Sequence, residues 1–283
     1  MKYLVVKGWL GFGDRLESLK MCVKYALDHN LLIYVDWTDS IWSHGEESFY
    51  SYFKLNMPTF SLDDIPADAT YYPEFWKDKI KTPFSQELLG KKELVLNYLT
   101  KPYSADVIVY SCVGYRTIYN DSRFFANVFR VIHPTIIEQT RVRQQQFNLK
   151  TSLGVHIRGT DRVNRRGRGN PLQLMAVNAM HYGGFSGKQL IAVSDDSESL
   201  TIWKRFYPQT IVMSSISIQQ SSRQGNHNTK KEDLKVSKDQ MNIDMLIDFF
   251  TLASCPTAVS TYRDSRFFQE SRRLHPFIAT ILS

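Results

Sequence analysis

The chain has 283 residues, of which 43% are hydrophobic, 22% charged and 13% aromatic, a composition too apolar for a disordered chain and too evenly mixed for a fibre or coiled coil. At roughly 150 residues per domain this length predicts two domains, each able to bury its own core. Lys and Arg number 35 against 28 Asp and Glu, and the net charge of +7 favours an anionic partner without choosing between nucleic acid, lipid headgroup and nucleotide-linked substrate.

Tyr3 to Val6 is a short β-favouring run that ends in the turn Gly8-Trp9-Leu10-Gly11-Phe12-Gly13. Behind it Leu16, Leu19, Val23, Ala26 and Leu27 recur at helical steps, and Leu31 to Trp37 reads as a strand, so a strand-helix-strand unit opens the chain. From Thr38 to Tyr103 prolines and aromatics interrupt any periodicity, which predicts irregular loops of a size to hold an acceptor, with Glu93 to Asn97 as the one strand. Asp106 to Ser111 is a further strand, and Ser122 to Val131 and Thr135 to Phe147 read as helices. A second α/β pattern starts at Ser152. Its strands are Leu153 to Arg158, Leu190 to Ser194, Thr210 to Met213 and Thr257 to Ser260, and its helices Ser197 to Phe206, Met241 to Ala253 and Ser265 to Leu274. Ser214 to Gln240 is polar and reads as a long loop, and the domain boundary is expected near Leu149, giving domains 1–149 and 150–283.

The three cysteines, Cys22, Cys112 and Cys255, are far apart and form no CxxC pair, so neither a disulfide framework nor a zinc site is expected. No run approaches the roughly 18 apolar residues of a membrane span, and no export signal is evident, so a cytoplasmic protein in a reducing compartment is expected.

Four stretches can carry chemistry. Gly11-Phe12-Gly13-Asp14-Arg15-Leu16 would let backbone amides approach an anion at a helix start, but it lacks the third glycine of a dinucleotide fingerprint and the Lys-Ser/Thr of a P-loop. Alone, it reads more simply as a tight turn capped by Asp14. His156-Ile157-Arg158-Gly159-Thr160-Asp161 closes a strand, where open α/β sheets bind ligands, and strand alternation points His156 and Arg158 to one side. Arg can fork two phosphate oxygens while Asp161 orients its partners; the competing reading is a buried Arg-Asp pair beside a core histidine. Ser194-Asp195-Asp196-Ser197 follows another strand, with Asp196 suited to a helix N-cap and Asp195 to a ligand, and with no second acidic cluster to complete a metal site. Last, a helix containing Asp248 leads through Ser254-Cys255-Pro256 to Thr261-Tyr262-Arg263-Asp264-Ser265, where hydroxyls at a helix mouth suit an anion and equally suit plain capping.

Taken in order, Gly154 to Val163, Ala192 to Asp196, and Ile247-Asp248 ahead of Thr261-Tyr262 resemble the three sequential motifs of the α1,6-fucosyltransferase superfamily. Gly11-Phe12-Gly13-Asp14 resembles the corresponding loop of the rhizobial nodulation fucosyltransferases. The likeness spans Leu153 to about Pro276 together with Gly11 to Leu16, while Thr38 to Phe147 resembles nothing. It implies an α/β, GT-B-like fold, two Rossmann-like domains with a cleft between them, the first on the acceptor side and the second binding a nucleotide sugar. It implies inverting, metal-independent transfer from GDP-fucose to a glycan hydroxyl, with no cofactor, no nucleic-acid partner and no membrane span. Carried over by motif, Arg158 holds the donor pyrophosphate, His156 its nucleotide side, Asp195 and Asp248 the base and its packing, and Thr261 and Ser265 the phosphates. Gly11, Gly13, Asp161 and His227, the last within a stretch from Ser217 that resembles the loop between the second and third motifs, complete the expected donor site.

One position departs from the superfamily. Its general base is a glutamate shortly after the first motif, and that place falls here at about Arg166, which cannot accept a proton. Either the base comes from the N-terminal half, with Asp14 first and His44 or Glu47 after it, or leaving-group departure drives transfer with little base assistance. Arg15, His44 and Arg166 are expected to meet the acceptor, and the Arg162 to Arg168 loop suits an acidic one, or is simply solvated charge. Two rivals remain: the same fold with a UDP-sugar such as UDP-xylose, and a non-catalytic sugar- or nucleic-acid-binding protein.

Overall fold

The computed structural model describes residues 2–89, 91, 94, 99, 101–111, 121–159, 187–214, 231–233, 235–262 and 264–283. The chain divides into two compact units, one of Met1–His133 with Ala279–Ser283 and one of Pro134–Ile278. The division precedes α4 (Pro134–Gln146), so this polar helix belongs with the second unit, and the last residues return to the first.

In the first unit β1 (Tyr3–Lys7), α1 (Phe12–Asp28) and β2 (Leu32–Asp36) form the expected strand-helix-strand unit. After them come β3 (Phe53–Leu55), β4 (Tyr71–Tyr72), α2 (Gln86–Leu89), β5 (Val107–Ser111), α3 (Ser122–Val128) and β6 (Phe129–Val131). The parallel sheet runs β2-β1-β5-β4. Because side chains alternate across a strand, Tyr3 and Val5 join Val107 and Val109 in a core with Trp9, Phe60, Trp76 and Phe84. Phe129 to Val131, expected to be helical, instead forms a strand antiparallel to β3. The reason is tertiary: Phe129 joins the ring cluster of Phe49, Phe53, Phe125 and Trp37, and the aromatic contacts fix an extended segment at the helix end. Of Glu93 to Asn97 only Leu94 lies among the described residues, where it is buried in the core.

The second unit contains β7 (Leu153–Ile157), β8 (Leu190–Ser194), α5 (Ser197–Phe206), β9 (Ile211–Val212), α6 (Lys238–Ser254), β10 (Thr257–Ser260) and α7 (Arg266–Leu274), and its last residue, Ile278, starts the short α8 (Ile278–Ile281), whose other residues belong to the first unit. Its sheet, also parallel, runs β10-β7-β8-β9. Leu153, Val155 and Ile157 face Leu200 and Trp203 of α5, while Ile191 and Val193 face Leu252, Cys255, Phe267 and Phe268. Helices therefore cover both faces, which is why the strands are continuous apolar runs.

In each sheet the earliest strand is flanked by a successor on either side: β1 lies between β2 and β5, and β7 between β8 and β10. The strand order reverses there, and open parallel sheets bind ligands in the crevice at the carboxyl end of that strand. The loop after β1 is the glycine turn, and the loop after β7 begins with Arg158. Cys22 and Cys255 are buried free thiols, and Cys112 lies outside the described residues. No helix among the described residues is long and apolar enough to cross a membrane.

Candidate functional site at the strand ends of the second unit

Arg158 and Asp195, which leave neighbouring strands β7 and β8, form an ion pair with Nη1 2.5 Å from Oδ2, their side chains 22% and 14% exposed. Gly159 donates its N–H to the other oxygen of Asp195 at 2.9 Å. A Cβ on Gly159 would lie 2.3 Å from that of Asp196 and 2.5 Å from the Ser199 hydroxyl, so only glycine lets the two loops meet here. Asp196 caps α5, accepting the Ser199 N–H at 2.8 Å. From β10, Thr261 accepts the N–H of Arg158 at 2.9 Å and donates its own N–H to the His156 carbonyl at 3.0 Å. Ser265 is the N-cap of α7 and accepts the Phe268 N–H. Residues from the ends of three adjacent strands thus gather around one partly exposed guanidinium.

His156 lies inside rather than at the surface. It is 4% exposed, with its ring 5.5 Å from that of Phe267 and 6.1 Å from that of Phe268. Ser260 gives its one proton to the Tyr262 carbonyl, so Nδ1 of His156, 2.8 Å away, is the donor to Ser260. Burial lowers its pKa to about 4 against the pull of Asp195, with Arg158 adding to the lowering, and the ring is neutral at neutral pH. Asp248 is also enclosed. Its Oδ1 accepts from Arg143 at 3.0 Å and its Oδ2 from the Ser214 hydroxyl, and burial raises its pKa to about 6 although Arg143 and Ser214 oppose the rise.

In the first unit the glycine turn is locked from within. Arg15 forks Asp39, Nη1 to Oδ2 at 2.9 Å and Nη2 to Oδ1 at 2.7 Å, and Nε donates to the Leu10 carbonyl at 3.0 Å; both side chains of the pair are 0% exposed. Arg15 was expected to meet the acceptor, but its guanidinium is turned inward between Trp37 and Trp42. It also explains Gly8, where a Cβ would lie 2.0 Å from Nη1 of Arg15. Leu10 takes the left-handed φ of 67°, a strained conformation for a branched residue that the Arg15 bond helps hold. The cap of α1 is Gly11, not Asp14; Asp14 lies in the first turn, and Gly13 is buried beside it. The peptide N–H of His44 donates to Glu47 at 2.8 Å, and although burial works to raise the Glu47 pKa, bonds from backbone N–H groups and Ser43 hold it below the usual carboxylate value, which makes Glu47 a weak base. Asp161, Arg166 and His227 lie outside the described residues.

No protein-family profile matches the chain, and no curated protein matches its sequence. Solved structures do. NodZ alpha-1,6-fucosyltransferase co-crystallized with GDP superposes with a TM-score of 0.70 at 17% identity, over 96% of this chain and 92% of that one. The fucosyltransferase NodZ from Bradyrhizobium gives 0.69 at 16% identity, over 96% and 92%. POFUT1 in complex with GDP gives 0.53 at 10% identity, over 96% and 94%, and a mutant of Arabidopsis thaliana FUT1 in complex with GDP gives 0.54 at 13%, over 97% of this chain and 68% of that one. The chain has the GT-B fucosyltransferase fold.

Within this fucosyltransferase fold, sequence reasoning missed the residues that hold the loops. Lys7 and Asp36 end paired strands in register and form a buried ion pair, and Lys7 also donates to the carbonyls of Ile80 and Thr82. Opposite charges closing two apolar runs were a readable signal. Asp39 and Arg143 gave none, because Arg143 sits in a polar helix and its partner Asp248 is remote in sequence.

Proposed function

We propose that the protein is an inverting glycosyltransferase that moves fucose from GDP-fucose to a glycan hydroxyl without a metal ion. The observation that carries this is Arg158, oriented by Asp195 and by the Thr261-bound backbone at the reversal of strand order, in a fold whose solved examples include complexes with GDP. In the reaction the acceptor oxygen bonds to the anomeric carbon as the bond from that carbon to the diphosphate oxygen breaks. Arg158 meets the negative charge that develops on the leaving diphosphate, where a fixed cation stabilises the transition state more than the ground state. Asp14, on the acceptor-side domain, takes the acceptor proton. Asp195, which keeps part of its surface in solvent, is the acid suited to the guanine N1–H and amine, a pattern uracil lacks, and Asp248, held by Arg143 and Ser214, packs behind it, so GDP is expected to bind more tightly than UDP.

A panel of nucleotide sugars screened by thermal stabilisation and then by turnover, with and without EDTA, tests the reading. Stabilisation by GDP and transfer from GDP-fucose in chelator are expected. Transfer from UDP-xylose alone would overturn the donor, and turnover restored only by Mn²⁺ or Mg²⁺ would overturn the mechanism.

A further inference from the structure

Arg143 projects from the polar helix α4 to acceptors on different elements. Its Nη1 donates to Asp248 Oδ1 at 3.0 Å and to Thr251 Oγ1 at 3.1 Å on α6, and its Nη2 to the carbonyl of Met213, just after β9, at 2.9 Å. The other oxygen of Asp248 accepts the Ser214 hydroxyl, and Ser214 in turn accepts the N–H of Ser194, the last residue of β8, at 2.8 Å. The Ser194 hydroxyl accepts the Asp196 N–H at 3.0 Å, so the residues on both sides of Asp195 are fixed by this chain of bonds. Asp195 then takes Arg158 and Gly159.

We propose that Arg143 is a positioning residue of the donor site, holding Asp248 and the Met213 carbonyl together and thereby fixing the β8 end at which Asp195 orients Arg158. The inference rests on the donor-binding role proposed above for Asp195 and Arg158. A guanidinium suits this task because its rigid fork reaches two acceptors that diverge, whereas an ammonium is a single point of charge. The charged groups whose fields reach Asp248 are Arg143 from α4, which favours the carboxylate, and Asp244 from α6 itself, which disfavours it. Without Arg143 the buried carboxyl holds its proton to higher pH.

The test is calorimetric titration of GDP and UDP into the full chain, as wild type, Arg143→Lys and Arg143→Ala, from pH 5.5 to 8.5, alongside melting curves. For whichever nucleotide the wild type binds more tightly, we expect affinity at pH 7 to fall about tenfold or more in both variants. Nucleotide preference should narrow, and the pH at which affinity is half lost should move upward from the wild-type midpoint, since Asp248 without Arg143 holds its proton to higher pH. A folded Arg143→Lys protein with wild-type affinity and an unmoved pH midpoint would overturn the proposal, as would failure of both variants to fold, which would make the residue structural alone. Tighter UDP binding by the wild type overturns the GDP reading while leaving Arg143 tested on UDP; a wild type that binds neither overturns both.

Discussion

Each unit sets an arginine-aspartate pair at the carboxyl end of its sheet, beside the strand at which the order reverses, and the two pairs differ in burial. Arg15 and Asp39 are fully enclosed, joined by a parallel fork, and pressed against tryptophan rings and a glycine that admits no side chain. Arg158 and Asp195 form an ion pair and keep part of their surface in solvent. A desolvated, doubly bonded pair holds a loop; a partly solvated one retains the capacity to exchange its partner for a ligand. Identical residue types at equivalent topological positions thus divide between structure and chemistry according to burial.

The largest effect expected from this contrast is on stability at Arg15. Removing one member of a buried pair strands the other charge, so Arg15→Ala should cost about 3–5 kcal/mol in chemical denaturation. A loss below about 1 kcal/mol would show that the lock is dispensable and the contrast false. Arg158→Ala should do the opposite, melting close to wild type while GDP affinity falls about a hundredfold or more and transfer nearly disappears, because a forked contact to pyrophosphate loses charge-assisted bonds of about 1.5–3 kcal/mol each. Wild-type turnover in this variant would sink the site assignment.

Asp14 sharpens the comparison within the first unit, since it adjoins the locked Arg15 yet remains half-buried at the start of α1. If it accepts the acceptor proton, Asp14→Asn should lower kcat by roughly a hundredfold with donor affinity near wild type. Unchanged kcat would leave Asp14 a residue of the helix start only.

The smallest effect concerns pH in the second unit. His156 stays neutral down to about pH 4 in the folded chain against an ordinary value of 6.5, so over that interval the unfolded state binds the extra proton and stability falls as pH falls. Asp248 works in reverse. Its carboxyl keeps its proton up to about pH 6 when folded but only to 3.8 ordinarily, so its contribution is lost as pH rises through that range. Between about pH 4 and 6 the slopes oppose each other. Asp248→Asn should therefore make stability climb more steeply with pH than in wild type, as read by urea unfolding at several pH values; parallel slopes would contradict the enclosed, proton-holding Asp248.

The alternation of apolar strands with amphipathic helices was legible because period and length are local properties. Asp196 as a helix cap was legible for the same reason: its side chain bonds Ser199 within the same turn. Phe129 to Val131 was misread because a three-residue strand is decided by β3 and a distant ring cluster. His156 and Arg158 share a strand parity that suggests a shared ligand face, yet Phe267, Phe268 and Ser260 enclose the histidine while the arginine lies beyond the strand end.

By itself the sequence determined the order of the elements, the α/β character of both halves, and the strand-end motifs that resemble the fucosyltransferases, since each is set by local pattern and by short chain segments. Only the tertiary structure decided which charged side chains are buried. Arg15 on α1 meets Asp39 beyond the end of β2, and Arg143 meets Asp248 from another helix; whether a charge ends in water or in a low-dielectric interior depends on what packs above it, and that is a property of the assembled chain.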